Sequence, residues 1–161
     1  MTIREYNECV NEHADGLFRF IVKNLNDEFE AENIVQNTFE KLWVRIEYID
    51  VKTVKAYIYK IAYNEMIDVT RRNKRFLKLE SASTVEAEKQ EYNNVMDYVN
   101  KVIHTLPKQQ KSAILLRDYE GYDYNSIGKI TGMSESQVKV NIHRARKKIK
   151  AFISKLELLI L

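Results

Sequence analysis

The chain is predicted to be all-α, built as two small helical domains joined by a flexible linker. Three observations carry that prediction. Only four glycines and one proline punctuate 161 residues, so breakers are scarce and long helices are favoured. Apolar residues recur at helical spacing along most of the length, without the alternation of a half-buried strand. Between them, Leu77–Asn93 (LKLESASTVEAEKQEYN) breaks the pattern, with four glutamates against two lysines and a Ser/Ala/Thr cluster. The predicted division is residues 1–76, a linker over 77–94 and a second domain over 95–161.

Each element follows from its own pattern. Tyr6, Val10, Ala14, Leu17 and Ile21 mark a first amphipathic helix. A second runs from about Glu28 to Arg45, with Phe29, Ile34, Val35, Phe39, Leu42 and Trp43 as its apolar positions. After a short connection, Tyr48–Thr53, a third carries Val54, Ile58, Ile61 and Met66 and ends in the basic run Arg71-Arg72-Asn73-Lys74-Arg75. These three can bury a common core of the bundle type. The linker reads as a solvated tether whose second half is compatible with a helix. Val95, Val99, Val102 and Ile103 open the second domain. Pro107 suits a first helical position, and Ala113, Leu116 and Tyr119 continue a helix that Gly121 can end.

Residues Tyr122–Lys150 are the most informative stretch. Asp123 is placed to N-cap a short helix bearing Ile127 and Ile130. Gly132 sits where the chain must reverse, and Gly128 is expected to let the two helices cross closely. Ser134 and Gln137 form an S-x-x-Q capping box that starts the next helix. That helix sets Val138, Ile142, Ala145, Ile149 and Phe152 on one stripe. Its other face carries Lys139, His143, Arg144, Arg146, Lys147, Lys148 and Lys150, with no acid before Glu157. A helix-turn-helix places the N-terminal part of its second helix against base edges and uses flanking cations on phosphate. A basic helix that merely packs, or lies on a membrane surface, is the plainer reading; the turn signals upstream argue for DNA.

Composition excludes other classes. The formal net charge is only +3, so distribution matters more than the total. Cys9 is the only cysteine, which rules out an intrachain disulfide framework and points to a reducing compartment. No stretch approaches membrane-spanning length and no signal-peptide core opens the chain, so a cytoplasmic protein without membrane insertion is expected. His13, His104 and His143 are far apart and show no metal-ligand spacing with Cys9. With no Gly-rich phosphate loop and no nucleophile setting, neither catalysis nor a cofactor or metal is expected.

Three stretches together resemble the extracytoplasmic-function (ECF) sigma factors, small two-domain promoter-specificity subunits of bacterial RNA polymerase. AENIVQNTFEKLW (Ala31 to Trp43) is similar to the family's A-E-D-L-V-Q-E-T-F-x-x-L-W. VKAYIYKIAYNEMIDVTRR (Val54 to Arg72) is similar to x-x-A-W-L-Y-R-I-A-R-N-x-x-x-D-x-x-R-R. The segment from Leu106 to Lys150 follows LP-x-x-x-R…EG-x-(S/T)-(Y/L)-x-E-I-A…G-(I/V)-S-x-x-T-V-K-S-R-(L/I)-x-R-A-R. The resemblance spans nearly the whole chain in the right order.

The resemblance implies a division of labour. Residues 1–76 match the region that binds core polymerase and recognises and melts the minus-ten element; residues 95–161 match the region that reads the minus-thirty-five element. Asn33, Gln36 and Asn37 match positions that meet the β′ clamp helices, with asparagines where acids are common, so hydrogen bonds replace some ion pairing. Asn64 matches an asparagine that helps hold a flipped base. Tyr57, Lys60, Tyr63, Arg71 and Arg72 supply the aromatic faces and charge that melting needs. Of Tyr57, Tyr59 and Tyr63, at least one is expected to point inward. Lys139, Val140, Asn141, His143 and Arg144 match positions that read the upstream element, flanked by Lys147 and Lys148. Val140 suits a thymine methyl and Asn141 an adenine edge. The family also implies contact with the β flap and an anti-sigma partner. A stand-alone helix-turn-helix regulator leaves the first domain's motifs unexplained. A sigma mimic that titrates an anti-sigma factor has no use for the basic recognition helix.

Overall fold

A computed structural model describes residues 1–79 and 94–160, of Ile160 the backbone only. The described residues are helical and connecting segments, with no strand among them. The first domain holds α1 (Ile3–Leu25), α2 (Glu28–Val44) and α3 (Val54–Leu79). The starts of α1 and α2 have a local cause. Thr2 and Glu5 form a reciprocal capping box, and the Asp27 side chain accepts from the Glu30 N–H at 3.0 Å. Asn26 closes α1 in the left-handed region at φ 53°. Leu17, Phe20 and Ile21 of α1 meet Ala31, Ile34 and Leu42 of α2 and Val54, Ile58, Ala62 and Met66 of α3 in one core.

Two of the apolar positions expected in α2 are not core. Phe29 is 72% exposed and Trp43 47% exposed; Trp43 packs only its edge on Tyr6, ring centroids 5.0 Å apart. Both fall on the flanks of a stripe too narrow to bury every large side chain in a short helix. α3 runs to Leu79, past the basic run at which it was expected to end. Most of the predicted linker, residues 80–93, lies outside the described residues.

The second domain holds α4 (Val95–Thr105), α5 (Lys108–Ile114), α6 (Tyr124–Thr131) and α7 (Glu135–Ile160). Pro107 caps α5 from outside and is not its first helical residue. Beyond Ile114 the chain widens into a π-helical turn over Leu115–Tyr119, in which the Glu120 N–H reaches the Leu115 carbonyl at 3.1 Å. Gly121 then turns the chain at φ 75°. Ile103, Ala113, Ile114 and Leu116 pack with Ile127, Ile130, Val138, Ile142 and Ala145. The two domains are also in direct contact: α1 and α3 lie against α5, the π turn and α6. No helix among the described residues is long and apolar enough to cross a membrane.

Candidate nucleic-acid interface

The helix-turn-helix forms by the local chemistry its residues suggest. The Asp123 carboxylate accepts from the Ser126 N–H at 2.7 Å, and that bond holds its carboxyl below the usual value. Gly132 adopts φ 78° and donates its N–H to the Gly128 carbonyl at 2.8 Å. Ser134 Oγ accepts from the Gln137 N–H at 3.2 Å while Gln137 Oε1 accepts from the Ser134 N–H at 2.9 Å, closing the capping box. Gly128 serves a different end from the one expected. A Cβ there would stand 2.8 Å from the Met133 carbonyl oxygen, so the glycine makes room for the turn's backbone, not for a helix crossing.

With Val138, Ile142 and Ala145 buried, α7 turns Lys139, His143, Arg144, Lys147 and Lys148 to solvent. Lys139 pairs with Glu135 at 3.2 Å, an exposed i,i+4 pair that phosphate can displace at little cost. Arg146 lies on another flank, forked onto Asp118 at 2.6 and 3.2 Å. Val140 is 45% exposed, as an apolar base contact needs. Asn141 is placed differently from the expectation. It is half-buried, and its Nδ2 donates back to the Gln137 carbonyl at 2.8 Å and meets Met133 Sδ at 3.5 Å. A bidentate adenine contact needs both amide atoms, so this side chain must first release its own helix.

Val140, Asn141 and Arg144 share a shallow depression of about 310 Å³ with Ser136, Gln137 and Gln109. Sequence reasoning put none of these last three at the site, naming Gln137 only as a cap. Ser136 and Gln137 occupy the first turn of α7, a position that could have flagged them. Nothing in the sequence marks Gln109, which reaches the site from α5 through tertiary packing alone.

In the first domain, Asn64 is exposed and Tyr57 half-buried, and both line a cleft of about 580 Å³ with Lys41, Arg45, Glu65 and Asp68. Lys60, Arg71 and Arg72 are exposed. Tyr63 is not an available aromatic face: it is 4% exposed, and burial pushes its hydroxyl pKa up. Its position on α3, one residue after Ala62 and three before Met66, puts it on the core side. Tyr59 is buried as well. Of the three tyrosines, Tyr57 alone keeps an accessible ring edge.

Gln36 and Asn37 are exposed on α2, with Asn33 half-buried beside them. Asn37 Nδ2 donates to Glu65 at 3.4 Å, and Lys41 Nζ binds the other oxygen of the same carboxylate. Glu65 therefore ties the α2 face to the cleft that contains Asn64. Sequence reasoning did not single it out. Among the described residues no group of three or more His, Cys, Asp and Glu side chains could hold a metal ion.

Comparison with known proteins agrees with this arrangement. The family model described as Sigma-70 region 2 matches residues 9–76, and Sigma-70, region 4 matches residues 96–149. The ECF RNA polymerase sigma factor SigE of Mycolicibacterium smegmatis is 26% identical over 93% of this chain, which spans 62% of that protein's length. SigV of Bacillus subtilis, an RNA polymerase sigma factor, is 25% identical over 93% of this chain and 92% of its own. In fold, the chain matches the sigma factor RpoE solved with the anti-sigma factor NepR from Bartonella quintana. The TM-score is 0.79 at 20% identity, covering 94% of this chain and 98% of that one. CnrH, solved with the cytosolic domain of CnrY, matches at TM-score 0.72 and 22% identity over 96% and 90% of the two chains. With both regions matched in order, the chain belongs to the sigma-70 family as an extracytoplasmic-function sigma factor.

Proposed function

We propose that this chain joins bacterial core RNA polymerase in the cytoplasm and directs initiation at promoters with two separately read elements. The carrying observation is that the cationic face of α7 and the cleft at Asn64 both open to solvent on different domains. The α7 face has the charge to hold duplex phosphates and, at Val140 and Arg144, side chains that reach base edges. The Asn64 cleft offers an amide and the edge of Tyr57 to an unstacked base. Gln36 and Asn37 present a neutral hydrogen-bonding surface for the polymerase β′ clamp helices, and residues 95–161 a second contact for the β flap. Control by an anti-sigma factor belongs to this reading, since the fold is shared with a sigma factor solved together with one. The chain itself performs no catalysis in this reading; polymerase does.

Run-off transcription with purified core enzyme and promoter fragments from the source genome tests it. Discrete start sites that vanish when the chain is omitted are expected. Duplex binding by the free chain at moderate salt, with no start sites in the presence of core, would instead indicate a stand-alone regulator.

A further inference from the structure

We infer that Gln109 is a further positioning residue for promoter DNA: from α5 it donates a hydrogen bond to a phosphate at the rim of the major groove that α7 occupies, and so fixes the register of α7. This role rests on the promoter reading proposed above. Gln109 stands one turn before Ala113 on the same face of α5. Ala113 is buried in the core that also holds Val138 and Ile142 of α7. Where that packed face reaches the surface, Gln109 emerges beside the first turn of α7 and shares the depression of about 310 Å³ with Ser136, Val140 and Arg144. Gln109, Ser136, Val140 and Arg144 are all exposed. Among the described residues, no other group takes the Gln109 amide.

Size decides whether that amide meets a base or the backbone. A major groove about 12 Å wide admits one α-helix, which with its side chains is about 10–12 Å across. With α7 in the groove, Val140 and Arg144 lie toward the base edges. A side chain carried by a second helix packed alongside stands at the rim, where the phosphates run.

Gln109 brings a chemistry that the rest of this surface lacks. Its Nε2 offers two N–H donors and no charge. The contact with phosphate is therefore a directional hydrogen bond, strongest when nearly linear, and it releases no counterion. The lysines of α7 hold phosphate as mobile point charges and tolerate many placements; Gln109 favours one. Asn141 cannot supply the same bond, because its Nδ2 is held by the Gln137 carbonyl and Met133 Sδ. Three signatures then separate the neighbours: Arg144 acts by sequence, Lys147 by salt, and Gln109 by neither.

The test uses the full chain with core polymerase, on the upstream element of a promoter fragment that gives discrete start sites and on duplexes with one base pair of that element changed. Gln109→Ala should weaken binding about two- to tenfold, the range of one lost hydrogen bond. The factor should be the same on every duplex and at every salt concentration. Gln109→Glu keeps the shape of the side chain and should weaken binding further by setting a carboxylate against phosphate. Gln109→Lys should steepen the slope of log affinity against log salt by about one. Replacing single phosphates with neutral methylphosphonates locates the partner: at one of them the loss seen with the parent chain should shrink in Gln109→Ala. No loss in Gln109→Glu, a loss in Gln109→Ala that changes with the base pair, or no phosphate whose replacement is blunted would each overturn the assignment. Failure of the promoter reading shows elsewhere, as a parent chain that gives no start sites; the same variants are then compared on duplex DNA bound by the chain alone.

Discussion

Replacing Gly128 with Ala isolates the turn that aims α7. The added Cβ would stand 2.8 Å from the Met133 carbonyl oxygen, where a carbon and a carbonyl oxygen ordinarily approach to about 3.3–3.6 Å. The obstacle is backbone in a turn already committed to Gly132 at φ 78° and to the Ser134–Gln137 capping box. No flexible side chain can move aside. Relieving the overlap needs a shift of about half an ångström in that backbone, and overpacking of this kind costs about 1–3 kcal/mol. Alanine's better helix propensity returns up to about 1 kcal/mol. With that full return the net expectation is a loss of up to about 2 kcal/mol, which lowers a urea midpoint by up to about 1 M. Gly121→Ala is the control. Nothing lies within 4 Å of its Cβ, so only the strain of φ 75° acts there, and α7 is not re-aimed. Urea titration followed by circular dichroism, with binding of an upstream-element duplex in the presence of core polymerase, measures both effects. Gly128→Ala should lose stability and upstream binding together. A midpoint equal to or above that of the parent chain would refute the steric argument.

Other expectations follow from the same geometry. Arg144→Ala should weaken upstream-element binding by about 1–3 kcal/mol in a sequence-dependent way, whereas Lys147→Ala should weaken all duplexes alike and reduce the salt slope by about one. Gel-shift titrations at several salt concentrations separate the two; equal effects on every sequence would remove Arg144 from base readout. Asn64→Ala should leave closed-complex formation intact and slow open-complex formation, read by permanganate footprinting. A loss confined to duplex binding would move Asn64 out of the melting cleft. Burial holds the pKa of both His13 and His104 below the usual histidine value. The unfolded chain then binds more protons than the folded one near pH 6.5, so their share of stability is complete above that pH and is lost as pH falls toward the lowered folded values. The urea midpoint should drop from pH 7 to pH 5.5, and His13→Gln with His104→Gln should flatten that drop.

Local chemistry was sufficient wherever neighbours in sequence make the structure. The caps at Asp123 and Ser134, the reversal at Gly132 and the buried stripe Val138–Ile142–Ala145 depend on residues within a few positions of one another, and all could be read before any fold was known. The cationic face of α7 follows by elimination from that stripe. Where a long-range partner decides, the sequence misled or was silent. Nothing local ties Gln109 of α5 to the first turn of α7, yet the two border one depression. Asn141 was misread for a local reason: the Gln137 carbonyl one turn back and Met133 at the preceding turn take its amide.

The helical content and the helix pair α6–α7 with its turn were already contained in periodicity and caps, because those are short-range effects that survive without tertiary context. Packing alone decided that Glu65 joins Asn37 and Lys41 to the Asn64 cleft, and that Gln109 borders the depression at Val140 and Arg144. Packing also set Glu120 against Arg19, 101 positions away. Nothing in either residue's neighbourhood announces its partner, since an ion pair between two domains is chosen by the surfaces that meet and not by the helix on which each side chain stands.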